Sequence, residues 1–337
     1  MKKGVAVIGQ GFVGGSLTTV LAERGLTVYV HDKEVGKIAI GGTVPGNAAI
    51  LGDKKRLLEL AGVPSSQDPN EPSEGTAIQN FVQSCETFSW FSGIFFVCLP
   101  TPMHESGEAD LSIVERVLNE LSSVPGERIA VVKSTVPPGS TERWNAQFAG
   151  TGLRVVFNPE FLTEANALDD MRNQTRIVLG GPRPHINRVK LLFQSAFPTV
   201  PIIKTSSTTA EMVKYFTNVQ LAARVILSCE LAQVCDALDA AGMNIDYDKV
   251  LEYAKLDRRL GGSHMNVPGA DGVPGARGHC FPKDLNALTY LARSMRVQPT
   301  VMEALWAKNL EVVAPEHRDW ERMVGRAVTR KVQNPTT

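Results

Sequence analysis

A strand, a glycine loop and a helix open this chain, and few other patterns tie a polypeptide so closely to one fold. The apolar run Val5–Ile8 leads into Gly9-Gln10-Gly11-Phe12-Val13-Gly14, and an apolar helical pattern follows over Gly15–Arg24. Asp32 closes the next apolar run, Val28–His31. In such a βαβ unit the first glycine permits the tight turn. The second lets a diphosphate approach the backbone, and the third lets the helix pack close to the strand. The helix amino terminus then faces the phosphates. An acidic residue at the second strand end accepts hydrogen bonds from a ribose and repels a 2′-phosphate. Gly9, Gly11, Phe12, Val13, Gly14 and Asp32 therefore form a candidate NAD site, although Lys33 beside Asp32 leaves NADP open.

Further short apolar runs (Ile94–Leu99, Ile129–Lys133, Arg154–Phe157, Ile177–Leu179 and Pro201–Lys204) alternate with helical patterns. Continuous β-branched runs between helices predict an α/β fold, a doubly wound parallel Rossmann-type sheet, over residues 1–204. Gly36–Glu74 is weakly periodic and rich in Gly, Pro and Ser, as expected of an irregular insertion. Thr208 and Glu211 make a capping-box pattern, and an apolar helical run then extends to about Ala241. Its apolar positions cover more than one face, which predicts the spine of a helical central and dimerisation domain over 205–310. A Gly/Pro-rich loop, Gly261–Gly278, precedes a helical pattern from Asp284. Residues 311–337 are polar and basic and read as a C-terminal tail, its last ten residues poorly ordered.

Composition narrows the class of protein. Lys plus Arg number 35 and Asp plus Glu 35, so no global field favours nucleic acid or a membrane surface. The longest apolar stretch, Phe91–Leu99, is too short to span a bilayer, and the start lacks the features of a signal peptide. Cys85, Cys98, Cys229, Cys235 and Cys280 lack paired spacing, and the six histidines lack metal-ligand spacing. Cys98, Cys229 and Cys235 read as small buried apolar residues. The expectation is a cytoplasmic protein without a metal.

Four segments hold chemically suggestive residues. Thr135 lies just past a strand end, where doubly wound sheets place ligands. In NPEFLTEANALDD, Asn158 reads as a helix cap and Pro159 as the first helical residue, which would set Glu160 and Glu164 on one face. Those carboxylates would repel anions, move protons or simply complement the helix dipole. Lys214 and Asn218 lie four apart in an apolar helix, and Lys214 there needs a partner or a task unless it snorkels to the edge. Cys280 precedes a helix, where the dipole and Lys283 would favour a thiolate, with Asp284 facing the same space. A buried structural cysteine is the alternative.

Taken together, GQGFVG, CLPTP with a later DLS, KSTVPPGST, NPEFLTE, EMVKYFTN and PGARGHCFPKD resemble the UDP-glucose dehydrogenase family, within the UDP-glucose/GDP-mannose dehydrogenase superfamily. They occur in the family's order over roughly residues 3–310. The resemblance implies oxidation of a nucleotide-sugar primary alcohol to the carboxylate by two hydride transfers to NAD, most simply UDP-glucose to UDP-glucuronate. Cys280 would be the covalent nucleophile, and Lys214 would stabilise oxyanion charge with help from Asn218. Asp284 would work with Lys214 and a water, Glu160 would be the base for hydrolysis, and Thr135 would position water. Pro100, Thr101, Thr135 and Glu164 would join the NAD site. Phe161, Leu162, Glu164, Lys214, Asn218 and Gly278 would line the sugar site, and Arg259 would reach a neighbouring subunit's substrate in a homodimer built on the long helix.

Two departures bear on substrate. Family members usually continue into a third, nucleotide-binding domain, about where this sequence reaches Met323-Val324-Gly325-Arg326-Ala327-Val328. The family's Phe-Gly-Gly-x-Cys loop here reads Ala276-Arg277-Gly278-His279-Cys280, and Arg277 is suited to a phosphate or carboxylate. A β-hydroxyacid dehydrogenase, which needs no cysteine, and an NAD-binding pseudoenzyme or interaction module stay open as alternatives.

Overall fold

The computed structural model describes residues 4–32, 50–51, 77–87, 89 and 91–330. Its contacts divide them into two compact units, one reaching to Pro100 and including Leu111–Lys214, the other Thr101–Asp110 with Tyr215 onward. The division differs from boundaries at 204 and 310, because 101–110 joins the second unit and the start of the long helix joins the first.

The first unit is built on an eight-stranded sheet: β1 Gly4–Ile8, β2 Thr27–His31, β3 Ile50–Leu51, β4 Phe91–Val97, β5 Arg128–Val132, β6 Leu153–Phe157, β7 Ile177–Gly180 and β8 Ile202–Thr205. Their order across the sheet is β3-β2-β1-β4-β5-β6-β7-β8. Alternate residues of each strand serve opposite faces. Ala6, Ile8, Phe95, Val97, Ala130 and Val132 pack with α2 (Ala77–Glu86) and α3 (Ser112–Ser123). Val5, Val7, Ile94, Phe96, Ile129 and Val131 pack with α1 (Phe12–Glu23) and a helix over Arg183–Ala196. This double burial explains why the strands read as continuous apolar runs.

The expected doubly wound parallel sheet is found, with one antiparallel junction. From β3 to β6 the neighbours are parallel, but β7 meets β6 antiparallel through the single pair Phe157↔Gly180, and β8 follows β7 in parallel. The sheet is therefore mixed. Apolar runs announce a strand but not its direction, which the connection decides. Of the expected insertion, only Ile50–Leu51 is described, as an edge strand paired with Val28 and Tyr29; its remainder lies outside the described residues, as does Lys33. The glycine loop follows β1, and Cys98–Pro100 follows β4, whose Val97 pairs with Ile8. Those two strand ends flank the point where strand order reverses, the ligand position of doubly wound sheets.

The second unit is helical. The long helix Ser207–Ala240 runs 34 residues, with Tyr215–Ala240 in this unit. Tyr247–Ala254, Phe281–Ser294 and Thr300–Val312 follow. Ala222, Ile226, Ala276 and Leu285 form one apolar core. A second core corrects the expectation of a tail: Met103, Val313, Trp320, Ala327 and Val328 are buried together, and the Trp306 and Trp320 rings lie 5.7 Å apart. The Met103 N–H donates to Ala327 O at 2.8 Å, and Thr329 N–H donates to Met103 O at 3.0 Å. Burial of Trp320 outweighs the polar composition around it. Residues 331–337, the rest of the expected disordered end, lie outside the described residues.

Candidate functional site

In the first unit the glycine loop has the expected shape. Gly9 takes φ +90°, and a Cβ there would strike Cys98 O; a Cβ on Gly14 would strike Gly9 O. Gly11 differs, because a Cβ there would meet nothing within 4 Å. Two glycines are thus required by packing, while the third leaves open space in front of the first helical turn. The helix begins at Phe12 rather than Gly15, so the amides of Phe12, Val13 and Gly14 belong to that turn. The Gln10 N–H donates to Asp32 Oδ2 at 2.6 Å, which fixes the carboxylate beside the loop. An open backbone, a helix amino terminus and an acidic acceptor fit NAD, and these residues would hold its diphosphate and ribose.

The expected helix at Asn158–Glu164 is absent. Asn158 is not a cap: its Nδ2 donates to Val178 O at 2.8 Å, and its Oδ1 accepts from Lys133 Nζ at 2.8 Å. Glu160 is buried, whereas Glu164 is exposed and begins a single turn, Glu164–Asn166, so the two carboxylates share no helix face. Long-range polar bonds have overridden a local helix signal. Glu160 Oε1 accepts from Lys214 Nζ at 2.8 Å and Oε2 from Leu162 N–H at 2.7 Å. Lys214 is only 2% exposed, so its partner is Glu160 and it does not snorkel. Burial raises the Glu160 pKa, but the Lys214 charge and hydrogen bond, the Leu162 amide and Lys133 outweigh it, and the net direction is down. Glu160 is therefore held as a carboxylate.

Lys133, in the segment that suggested Thr135, is a second buried lysine, and only its place beside Thr135 hinted at it. Burial lowers its pKa, with Lys214 adding to the effect while Cys98 and Glu160 oppose it. Burial pushes the Cys98 thiol up to about 12, in keeping with an inert cysteine. Thr135 itself is buried, three residues past β5. Lys133, Glu160, Phe161, Leu162 and Arg176 line a pocket of about 250 Å³, with the Arg176 guanidinium 4.1 Å from the centroid of Phe161. Pro100 is exposed. The capping-box reading of Glu211 is also corrected. Ser206 Oγ accepts from Thr209 N–H at 3.2 Å, while buried Glu211 accepts from Gly139 and Thr141 amides at 2.6 and 2.8 Å and so caps a different helix, Ser140–Gln147.

In the second unit, Cys280 stands at the amino-terminal cap of Phe281–Ser294, partly exposed, at the end of the Gly-rich loop. Asp284, one turn on, is 1% exposed and accepts from Asn218 Nδ2 at 2.6 Å and from Lys283 Nζ. Lys283 is thus committed to Asp284. Thr101 is buried in this unit. Arg259 is exposed and paired with Asp257 at 2.5 Å. Arg277 already meets carboxylates of its own chain, Asp271 at 2.8 Å and Asp319 at 3.5 Å, so a substrate anion would compete with them. Gly278 N–H donates to Asp319 Oδ1 at 3.1 Å. Among the described residues no cluster of metal ligands occurs, and no helix is long and apolar enough to cross a membrane.

The sheet and glycine loop define an NAD-binding protein of Rossmann type with a helical second unit. Residues 75–196 match the profile of the UDP-glucose/GDP-mannose dehydrogenase family, NAD binding domain, and residues 208–311 match that family's central domain. The chain belongs to the UDP-glucose/GDP-mannose dehydrogenase family, and its cofactor is NAD. It is 31% identical over 317 residues to the UDP-glucose 6-dehydrogenase TuaD of Bacillus subtilis (strain 168), covering 92% of this chain and 63% of that protein. The chain thus spans less than two thirds of that relative's length. A UDP-glucose dehydrogenase structure from Pyrobaculum islandicum superposes with TM-score 0.66 at 25% identity, over 92% of this chain and 68% of that one. Mycobacterium tuberculosis 3-hydroxyisobutyrate dehydrogenase superposes with TM-score 0.62 over 94% of this chain and 96% of its own, but at 14% identity it speaks for the fold alone.

Proposed function

We propose that this chain catalyses the NAD-dependent oxidation of a nucleotide sugar, taking the hexose primary alcohol through the aldehyde to the carboxylate, with UDP-glucose as substrate. The observation that carries this reading is Cys280 at a helix amino terminus, one turn from a buried Asp284 held by Asn218 and Lys283. A helix amino terminus stabilises negative charge, and a thiolate is the nucleophile such chemistry needs.

NAD supplies the hydride acceptor for both oxidations. Between them, the Cys280 thiolate adds to the aldehyde carbon, forming a C–S bond as the carbonyl electrons move to oxygen. Lys214 offers a cation to that oxygen, and Asn218 a hydrogen bond. The second oxidation leaves a thioester on Cys280. Water then breaks the C–S bond, giving the carboxylate and returning the thiol. Glu160, held ionised, is the acceptor for the proton of that water, and Thr135 helps to place it. Covalent capture prevents loss of a reactive aldehyde.

The reading extends to a homodimer. Phe216, Leu227, Leu231 and Val234 of the long helix are 59, 55, 51 and 52% exposed and fall on one helical stripe, which favours burial against a second copy. Arg259 would then serve the partner's substrate. The proposed setting is cytoplasmic, in keeping with five cysteines that lack paired spacing.

The test counts NADH formed per sugar consumed across a panel of UDP- and GDP-sugars. A ratio close to two, lost in Cys280→Ser, supports the reading. Turnover that survives Cys280→Ser points to simple alcohol oxidation, and NAD binding without any turnover points to an idle module.

A further inference from the structure

The loop leading to Cys280 is held by a part of the chain that composition presents as a tail. A Cβ on Gly275, at φ +91°, would strike the Val313 side chain, so the loop lies directly against that residue. Fully buried Asn309 takes both backbone groups of Ala276: its Oδ1 accepts from Ala276 N–H at 2.8 Å, and its Nδ2 donates to Ala276 O at 3.0 Å. The next two residues converge on Asp319. Gly278, at φ +74°, donates its N–H to Asp319 Oδ1 at 3.1 Å, and Arg277 reaches Asp319 Oδ2 at 3.5 Å. Arg277 Nε also donates to His317 O at 2.9 Å. Asp319 is itself anchored, because its neighbour Trp320 is 1% exposed.

The structure assigns Asp319 as a positioning residue for Cys280. One carboxylate grips two consecutive residues, the second of them two positions ahead of the thiol, and so sets the backbone path into the helix cap. Gly278 takes a left-handed conformation that leaves the chain other routes, and Asp319 selects one of them. The assignment rests on the reading of Cys280 as nucleophile, for which a displacement of about 1 Å costs up to roughly a hundredfold in rate. It also gives Arg277 a task, as the bridge between this loop and Asp319, His317 and Asp271.

The test is the pH profile of Cys280 alkylation by iodoacetamide, read by mass spectrometry of the Cys280 peptide, in the full chain and in Asp319→Ala, Asp319→Asn and Asp319→Glu. Steady-state kcat and KM accompany it. Asp319→Ala should shift the profile and lower kcat about tenfold or more. Asp319→Asn keeps an acceptor for Gly278 and should recover much of the rate. An alkylation profile unchanged in Asp319→Ala, or in Asp319→Glu where the alanine variant does not fold, overturns the assignment. Wild-type turnover in Cys280→Ser would sink the nucleophile reading instead, while the alkylation profile still decides what Asp319 does.

Discussion

Replacing Lys214 with Met would leave the Glu160 carboxylate buried without its ammonium partner, and the structure gives the scale of the loss. At 2.8 Å the pair's attraction is about 6 kcal/mol for an effective dielectric of about 20. The two side chains are only 3% and 6% exposed, so desolvating them offsets most of that gain. The intact pair is therefore near neutral, but removing one partner costs about 3–5 kcal/mol. The sign follows from Glu160. In the wild type its pKa is below the usual value, so its contribution is present above the unfolded carboxylate pKa and is lost as pH falls through the folded one. In Lys214→Met, burial dominates and the pKa rises, so stability falls with increasing pH by up to about 1.4 kcal/mol per unit. The Lys133 charge and the Leu162 amide remain, which sets the expectation at about 3 kcal/mol near pH 8 and clearly less near pH 5. Thermal unfolding of the first unit should drop by roughly 6–12 °C at the higher pH. A stability loss below about 1 kcal/mol, or one equal at both pH values, would refute the reasoning. Adding Glu160→Gln should restore part of the loss, as a double-mutant cycle would read.

Two further outcomes follow from the cofactor loop. Gly14→Ala drives a Cβ into Gly9 O, so we expect at least about 2 kcal/mol of destabilisation and loss of NAD binding, read by calorimetric titration beside urea unfolding. Asp32→Ser removes the carboxylate that accepts from Gln10 N–H and opposes a 2′-phosphate. NAD affinity should fall about tenfold and the preference over NADP should narrow, so an unchanged NAD to NADP ratio argues against Asp32 as the ribose acceptor.

Much of this protein was legible residue by residue. Apolar runs marked seven of the eight strands, Gly9 marked a tight turn and Gly14 a close helix packing, and the long apolar helix appeared within a residue of its bounds. These signals are local, because strand burial, turn conformation and helical period act over a few positions. Cys280 at its helix cap was visible for the same reason.

Other features required distant residues to meet. Lys214 was plainly in need of a partner, but that the partner is Glu160, 54 positions away, depends on how the strands and long helix converge. Asn158 and Glu211 each carried a good local capping signal, yet each bonds elsewhere, Asn158 to Lys133 and Glu211 to the amides of Gly139 and Thr141. The reversal of β7 and β8 lay in a connection, not in their apolar content. Composition made residues 311–330 a tail, while the burial of Trp320 made them a wall for the Cys280 loop. The sequence by itself determined the glycine loop, most of the strands and the long helix, since those depend on neighbours along the chain. Tertiary structure alone decided which charge meets which and which polar group is buried, because those pairings depend on distances that no local pattern encodes.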